Sequence, residues 1–113
     1  MGDRQKLPPR RPSITRDVVW QRVNGTYQFS MTIGFDPGTG KVREVFASGG
    51  MGSETEATIA DACVVLSHML QSGGDIRALS ASMLKVSDPS SGGEMSLHAS
   101  VLGAIVAELL EAA

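Results

Sequence analysis

The chain has 113 residues, of which 42% are apolar and 19% charged; this is ordinary for one globular domain and excludes an intrinsically disordered composition. Its net charge is −2, but residues 1–22 carry six cationic and two acidic side chains, a net +4 that leaves −6 for the remainder. The single cysteine, Cys63, excludes an intrachain disulfide and a cysteine-cluster zinc site, and it suits a reducing cytoplasm.

The first residues read as an extended basic arm over 1–16. Pro8, Pro9 and Pro12 lie among charged side chains there, and proline removes amide donors and favours extended geometry in the residue before it. The remaining residues, 17–113, are expected to form a single folded domain. No apolar run in the sequence approaches the ~20 residues of a membrane helix, so we expect neither a membrane span nor a secretory signal.

Three strands are predicted after the arm. Residues 17–23 favour β structure, and Asn24-Gly25 suits the two-residue turn of a hairpin. In 27–35 large apolar side chains alternate with small or polar ones, which predicts a strand with one buried face. A turn over 36–40 then leads to a third strand over 41–47. Such short connections predict an antiparallel three-stranded meander.

A helix is predicted from Ser53, because Glu56 follows three residues later as in a capping box. It should continue to about Ser72 and end at the following glycine pair. The buried stripe of this helix consists of Ile59, Cys63, Leu66 and Leu70. Val64 and Val65 lie at the two edges of the stripe, so the apolar arc is wide. We therefore expect the helix to contact the sheet and something else besides.

Two more helices are expected in the remainder of the chain. Asp75 can cap a short helix over 76–83, residues 85–94 have a loop composition, and a final helix is predicted over 95–111. The apolar face of the final helix would hold Met95, Leu102, Ile105, Val106 and Leu109, with His98 near its start. Strands followed by helices argue for an α+β domain, a three-stranded antiparallel meander with two to three helices packed on one face.

A series of short motifs resembles the TSCPD domain. The motifs are, in chain order, Leu7-Pro8-Pro9-Arg10-Arg11 with Thr15, Asn24-Gly25 with Tyr27, Ile33-Gly34, Gly40 with Glu44-Val45-Phe46, Gly52-Ser53, and the Ser-x-x-Leu-x-x-Gly run from Ser67 to Gly73. The resemblance covers residues 4–84. That family occurs near the C-terminus of adenosylcobalamin-dependent ribonucleotide reductases and as short stand-alone bacterial and phage proteins.

The resemblance implies an accessory role. The radical-generating barrel, the cobalamin site and the catalytic cysteines of the reductase belong to its other domains, so no catalytic residue and no cofactor are expected in this chain. The stretch that gives the family its name, Thr-Ser-Cys-Pro-Asp before the last helix, corresponds here to Met95-Ser96-Leu97-His98-Ala99. Cys, Pro and Asp are therefore absent, and any role of that cysteine or aspartate is in question.

A glycine-rich link joins the third predicted strand to the first helix. The candidate anion loop that it offers consists of Gly49, Gly50, Gly52 and Ser53. Backbone amides in such a loop can bind phosphate. However, Glu54 and Glu56 would repel an anion, and the loop lacks the Gly-Lys-Ser/Thr ending of a Walker loop. A flexible cap is the favoured interpretation.

Catalytic and metal sites are not expected among the cysteine and histidines. Cys63 and His68 are five residues apart on one helix and point about 140° away from each other, whereas a nucleophile needs its base within hydrogen-bond reach. Asp61 and His68 lie on one stripe of the same helix. This stripe is typical of a solvated face, and the alternative is contact with a partner.

Three hypotheses for function follow. The first is a non-catalytic interaction module that forms a homo-oligomer or docks onto a larger protein such as a ribonucleotide reductase, with Val64, Val65, His68 and Asp61 at the interface. The second is a nucleic-acid accessory protein that binds phosphates through Arg4, Lys6, Arg10, Arg11 and Arg16, although the arm lacks interleaved aromatic residues. The third is a small enzyme or nucleotide-binding regulator, for which no motif is found.

Overall fold

The first three strands form one antiparallel sheet. In a computed structural model, which describes residues 12–49 and 53–113, the sheet has the order β1-β2-β3, with β1 over Ser13–Arg22, β2 over Gly25–Phe35 and β3 over Val42–Gly49. The predicted meander is confirmed. β1 begins at Ser13 rather than at residue 17, because residues 13–16 pair with residues 31–34 of β2.

One face of the sheet is apolar and buried, as the alternation along β2 predicts. Its buried members are Val18, Phe29, Met31, Ile33 and Val45. The register places Val18 beside Phe29 and Ile33 beside Val45, so these side chains project to the same side. On the opposite face lie the polar side chains of Thr15, Asp17, Gln28, Ser30 and Thr32, together with the exposed apolar side chains of Val19 and Phe46.

Helix α1 (Ser53–Gln71) lies against the outer edge of β3. Its predicted buried stripe is confirmed, since Ile59, Cys63, Leu66 and Leu70 are all buried. The Ser67 hydroxyl accepts from the Val45 amide at 3.0 Å and donates to the Val45 carbonyl at 3.3 Å. The Arg43 guanidinium donates to the Leu70 carbonyl oxygen at 2.9 Å. The Ser67 contacts satisfy backbone groups of Val45 that the edge of β3 would otherwise offer to another strand, and the Arg43 contact satisfies a carbonyl in the last turn of α1.

The end of α1 and the start of the next helix follow the predicted signals. Gly73 has a φ of 86°, which is the left-handed geometry that glycine adopts without strain. The Gly74 amide donates to the Met69 carbonyl at 2.8 Å. Helix α2 (Ile76–Ser82) follows, capped by Asp75, whose carboxylate accepts from the Arg77 amide at 2.9 Å.

Two details of the predicted C-terminal part are wrong, namely the absence of strands over 85–94 and the start of the last helix at residue 95. Short strands β4 (Lys85–Ser87) and β5 (Ser96–His98) pair antiparallel, and helix α3 spans Val101–Ala112. The helix begins later because the Ser100 hydroxyl accepts from the Gly103 amide at 3.2 Å and caps it there. Met95, expected on the apolar face of the helix, is therefore outside it and 66% exposed.

Helix α3 completes the core. Its side chains at Ile105, Val106 and Leu109 are fully buried, as their shared face predicts. The Trp20 indole N–H donates to the His98 carbonyl oxygen at 2.9 Å, which ties β5 to β1 beside the start of α3. Within the described part of the chain, no helix combines the length and the apolar character needed to cross a membrane.

Candidate functional site

The side chains of Asp61, Val64, Val65 and His68 form one exposed face of α1, called here the valine face. At about 100° per residue they fall within an arc of about 100°. All four are exposed, Val64 to 56% and Val65 to 68%. β-branched side chains slightly lower helix propensity, and these two valines gain little from burial in the isolated chain. The structure thus brings together the four residues that the sequence offered as a partner interface.

An apolar groove runs beside the valine face, between α1, α2 and α3. Its volume is about 350 Å³. The lining residues are Ala62, Val65, Leu66, Met69, Leu79, Met83, Leu102 and Val106. All of them are apolar, and the two methionines can adjust their shape to a partner side chain. Val65 belongs both to the groove and to the valine face, so the two features form one continuous surface.

Most of the groove was missed by sequence reasoning. The width of the apolar arc on α1 was the available signal, since it required a second contact besides the sheet. In the structure α3 contacts α1, and Leu79 of α2 together with Leu102 and Val106 of α3 lines the other walls of the groove. They cover the arc only partly, and the uncovered remainder is the groove.

Cys63 is a core residue. Its side chain is 2% exposed, and burial raises the pKa of its thiol to about 11, although hydrogen bonding to the Ala47 backbone acts in the opposite direction. The thiol is therefore protonated at neutral pH, whereas a nucleophilic cysteine needs the thiolate. His68 is exposed on another side of the same helix.

His98, which was expected on the last helix, lies instead in β5. Its ring packs against Gly103 of α3, where an added Cβ would come within 3.4 Å of Nδ1. Burial, and secondarily the charge of Lys85 on the paired strand, lowers the pKa of His98. Among the residues that the structure describes, no group of three or more His, Cys, Asp or Glu side chains could hold a metal ion.

Arg16 is engaged within the domain. Its guanidinium donates to the Glu108 carboxylate at 3.1 Å and lies 3.9 Å from that of Glu111, so it joins β1 to α3. The other cations proposed for phosphate contact, Arg4, Lys6, Arg10 and Arg11, lie outside the described residues. Since residues 13–16 belong to β1, a deletion that tests nucleic-acid binding should remove residues 1–11 and retain the strand.

The proposed anion loop falls largely outside the described residues. Gly50 and Gly52 lie there, while Gly49 ends β3 and Ser53 begins α1. The loop stays a prediction from the sequence. The acidic side chains of Glu54 and Glu56 lie in the first turn of α1, as expected, and both are exposed.

Several of the sequence motifs have defined structural roles. Ser67 bonds to the edge of β3, and Leu70 is buried in the core. Gly73 ends α1 with its positive φ. Gly34 lies beneath the side chain of Glu44, since an added Cβ would approach the Glu44 Cγ to 2.7 Å. Glycine at this position therefore lets the Glu44 side chain lie close against β2.

The chain was compared with protein families, curated proteins and solved structures. The family model described as the TSCPD domain matches residues 4–113. The searches of curated proteins and of solved structures gave no match. The family match extends beyond residue 84, where the motif resemblance ended, and takes in β4, β5 and α3.

Proposed function

Because the chain belongs to the TSCPD domain family, we propose that it is a non-catalytic accessory module that acts by docking onto another protein chain. The observation that carries this proposal is the continuous apolar surface formed by the valine face and the apolar groove. The resemblance to a domain of ribonucleotide reductases makes such a reductase the first partner to test.

Leaving this apolar surface in water costs free energy that a docked partner would recover. Full burial of a valine side chain is worth about 1.5–3 kcal/mol. Val64 and Val65 keep more than half of their surface exposed, so a partner that covered both would recover on the order of 1 kcal/mol from each. A groove lined only by apolar side chains adds to this gain, as anchors at interfaces occupy such depressions.

The non-catalytic part of the proposal is supported by the environment of Cys63. Its thiol is buried and its pKa is raised to about 11, so it is neither accessible nor ionised at neutral pH. The exposed polar groups of the valine face, Asp61 and His68, lie on either side of the two valines. They are suited to fix the orientation of a docked partner at the rim of an apolar contact.

The test is capture of tagged full-length protein from its host's lysate, with mass spectrometry of the proteins that co-purify. We expect a ribonucleotide reductase subunit with the wild type and its loss with the double variant Val64→Lys/Val65→Lys. A matched control is Val19→Lys/Val23→Lys, which charges two valines that are each 54% exposed elsewhere. Circular dichroism should show that both variants are folded.

The control should recover as much reductase as the wild type does. If the reductase is recovered equally with the Val64→Lys/Val65→Lys variant, the docking surface is misassigned. If no reductase co-purifies with the wild type, the accessory role on that enzyme is contradicted.

A further inference from the structure

Glu44 is a buried carboxylate on the polar, largely exposed face of the sheet. Its side chain is only 9% exposed, whereas Phe46, two residues along the same strand and on the same face, is 55% exposed. A carboxylate is buried in a protein where a cation or another hydrogen-bond donor compensates for its lost hydration. The burial of Glu44 therefore calls for a donor close to it on this face.

The Glu44 side chain leans across β2 toward β1. Its Cγ lies 2.7 Å, and its Oε1 2.9 Å, from the position that a Cβ on Gly34 would occupy. In the sheet, Gly34 pairs with Glu44 on one side and with Ser13 of β1 on the other. Because Gly34 has no side chain, the carboxylate has an open path over β2 to the start of β1.

The basic arm joins the sheet at this corner. The Phe35 amide donates to the Pro12 carbonyl at 2.9 Å, so the pairing of β1 with β2 already includes the first residue that the structure describes. Proline favours extended geometry in the residue before it, which here is Arg11. Alternation along an extended chain then assigns Arg11 to the face of Glu44 and Arg10 to the opposite face.

From this arrangement we propose that the Arg11 guanidinium docks on the Glu44 carboxylate over Gly34 and fastens the basic arm to the sheet. β1 and β3 are about 10 Å apart across β2. The long side chain of Arg11 and the inclined side chain of Glu44 together span this distance. Arginine suits the site because its planar guanidinium donates two parallel hydrogen bonds to a carboxylate.

Asp36 adds to the need for a cation at this corner. Its side chain is also 9% exposed, and its Oδ1 accepts from the Gly38 amide at 2.8 Å in the turn after β2. Asp36 follows Gly34 by two residues, so it lies on the same face of the sheet and near Glu44. Two buried carboxylates in proximity repel each other unless a cation lies between them. The five N–H donors of one guanidinium are enough for both.

The docking gives three of the sequence motifs a common role. Arg11, Gly34 and Glu44 each belong to a different one of the motifs that resemble the TSCPD domain. An Arg11 held in this way is not available to phosphate, and the burial of Glu44 shields the pair from salt. The pair involves neither the valine face nor the apolar groove, so it goes beyond the proposed docking role.

The test is thermal unfolding of the full chain with Arg11→Gln, Glu44→Gln and the two combined. Arg11→Gln leaves Glu44 buried without its cation and should lower the Tm by about 5 °C or more. In the Glu44→Gln background the same substitution should lower the Tm by less than about 2 °C, because the charge that Arg11 compensates is gone.

A matched control is Arg10→Gln, which removes the same charge one residue earlier and on the opposite face. It should change the Tm by less than about 2 °C with or without Glu44. Circular dichroism should show that every variant is folded before it is heated.

Limited digestion with trypsin measures the docking of the arm independently of stability. Trypsin can cut after Lys6 and after Arg10, but not after Arg11, which precedes a proline. Docked Arg11 should protect the bond after Arg10, and Glu44→Gln should speed that cut by about 10-fold. The cut after Lys6 should keep its rate and serves as the internal control.

Three results would overturn the docking of Arg11 on Glu44. The first is an equal loss of Tm on Arg11→Gln with and without Glu44, and the second is a loss no larger than that caused by Arg10→Gln. The third is a bond after Arg10 that trypsin cuts equally fast in the wild type and in Glu44→Gln. The capture experiment with Val64→Lys/Val65→Lys tests the proposed function separately, so none of these results bears on it.

Discussion

Ser67 shows how one side chain can close the edge of a sheet. Its hydroxyl both accepts from the Val45 amide and donates to the Val45 carbonyl, at 3.0 and 3.3 Å. These two backbone groups point away from β2, so without Ser67 they would need water or another strand. The serine in the Ser-x-x-Leu-x-x-Gly motif is therefore a structural residue that fixes α1 to β3.

We expect Ser67→Ala to lower the free energy of unfolding by about 1–3 kcal/mol, because it leaves a partly buried backbone donor and acceptor unpaired. Urea denaturation would measure this change. The control is Ser82→Ala in α2, whose hydroxyl donates only to the Ala78 carbonyl at an exposed position, and which should change stability by less than about 0.5 kcal/mol. Equal effects of the two substitutions would contradict the assigned role.

At the scale of elements, the β4–β5 hairpin decides where α3 begins and what it packs on. β5 places the His98 ring against Gly103, and the His98 carbonyl oxygen accepts a hydrogen bond from the Trp20 indole N–H. Burial and the neighbouring Lys85 lower the pKa of His98 from its ordinary value of 6.5. The folded state therefore favours the neutral imidazole at this position.

This shift predicts a pH dependence of stability. A group whose pKa is lower in the folded state binds its proton more readily in the unfolded chain, so its contribution is present above pH 6.5 and is lost as the pH falls through the folded pKa. Urea unfolding of the wild type should show this loss on acidification. In His98→Leu, which cannot titrate, the decline should be smaller, and an identical decline in both proteins would contradict the prediction.

At the scale of the whole molecule, an ion pair joins the first strand to the last helix. Arg16 and Glu108 are 92 positions apart in the chain, and their side chains are 31% and 27% exposed. The pair is partly shielded from solvent, so it should contribute more than a fully exposed one. Glu111, 72% exposed and 3.9 Å away, adds little.

A double-mutant cycle with Arg16→Met and Glu108→Gln measures this link. We expect a coupling free energy of about 0.5–1 kcal/mol, reduced at high salt because the pair retains some exposure. Additive effects of the two substitutions would show that the pair contributes nothing to the fold and that Arg16 is energetically available for another ligand.

The sequence alone determined the elements whose signals are local. Alternation over 27–35 predicted β2 and its buried face, because neighbouring strand residues point to opposite sides of a sheet. The glycine pair after Ser72 and the carboxylate of Asp75 predicted the end of α1 and the start of α2, since caps depend on the few residues beside them. The expectation that Val64 and Val65 border the buried stripe was wrong, since the helical period puts each of them about 130° from its centre, and both are exposed in the structure.

Tertiary structure decided what depends on residues far apart in the chain. Residues 85–87 and 96–98 are too short and too polar to be recognised as strands, and each is a strand only because the other pairs with it. This pairing moved His98 and Met95 out of the expected helix. The apolar groove forms only where three helices meet, and Arg16 reaches Glu108 only because β1 lies beside α3. Periodicity along the sequence shows which side of a helix or strand is apolar. It does not show which elements pack together or how much apolar surface they leave exposed.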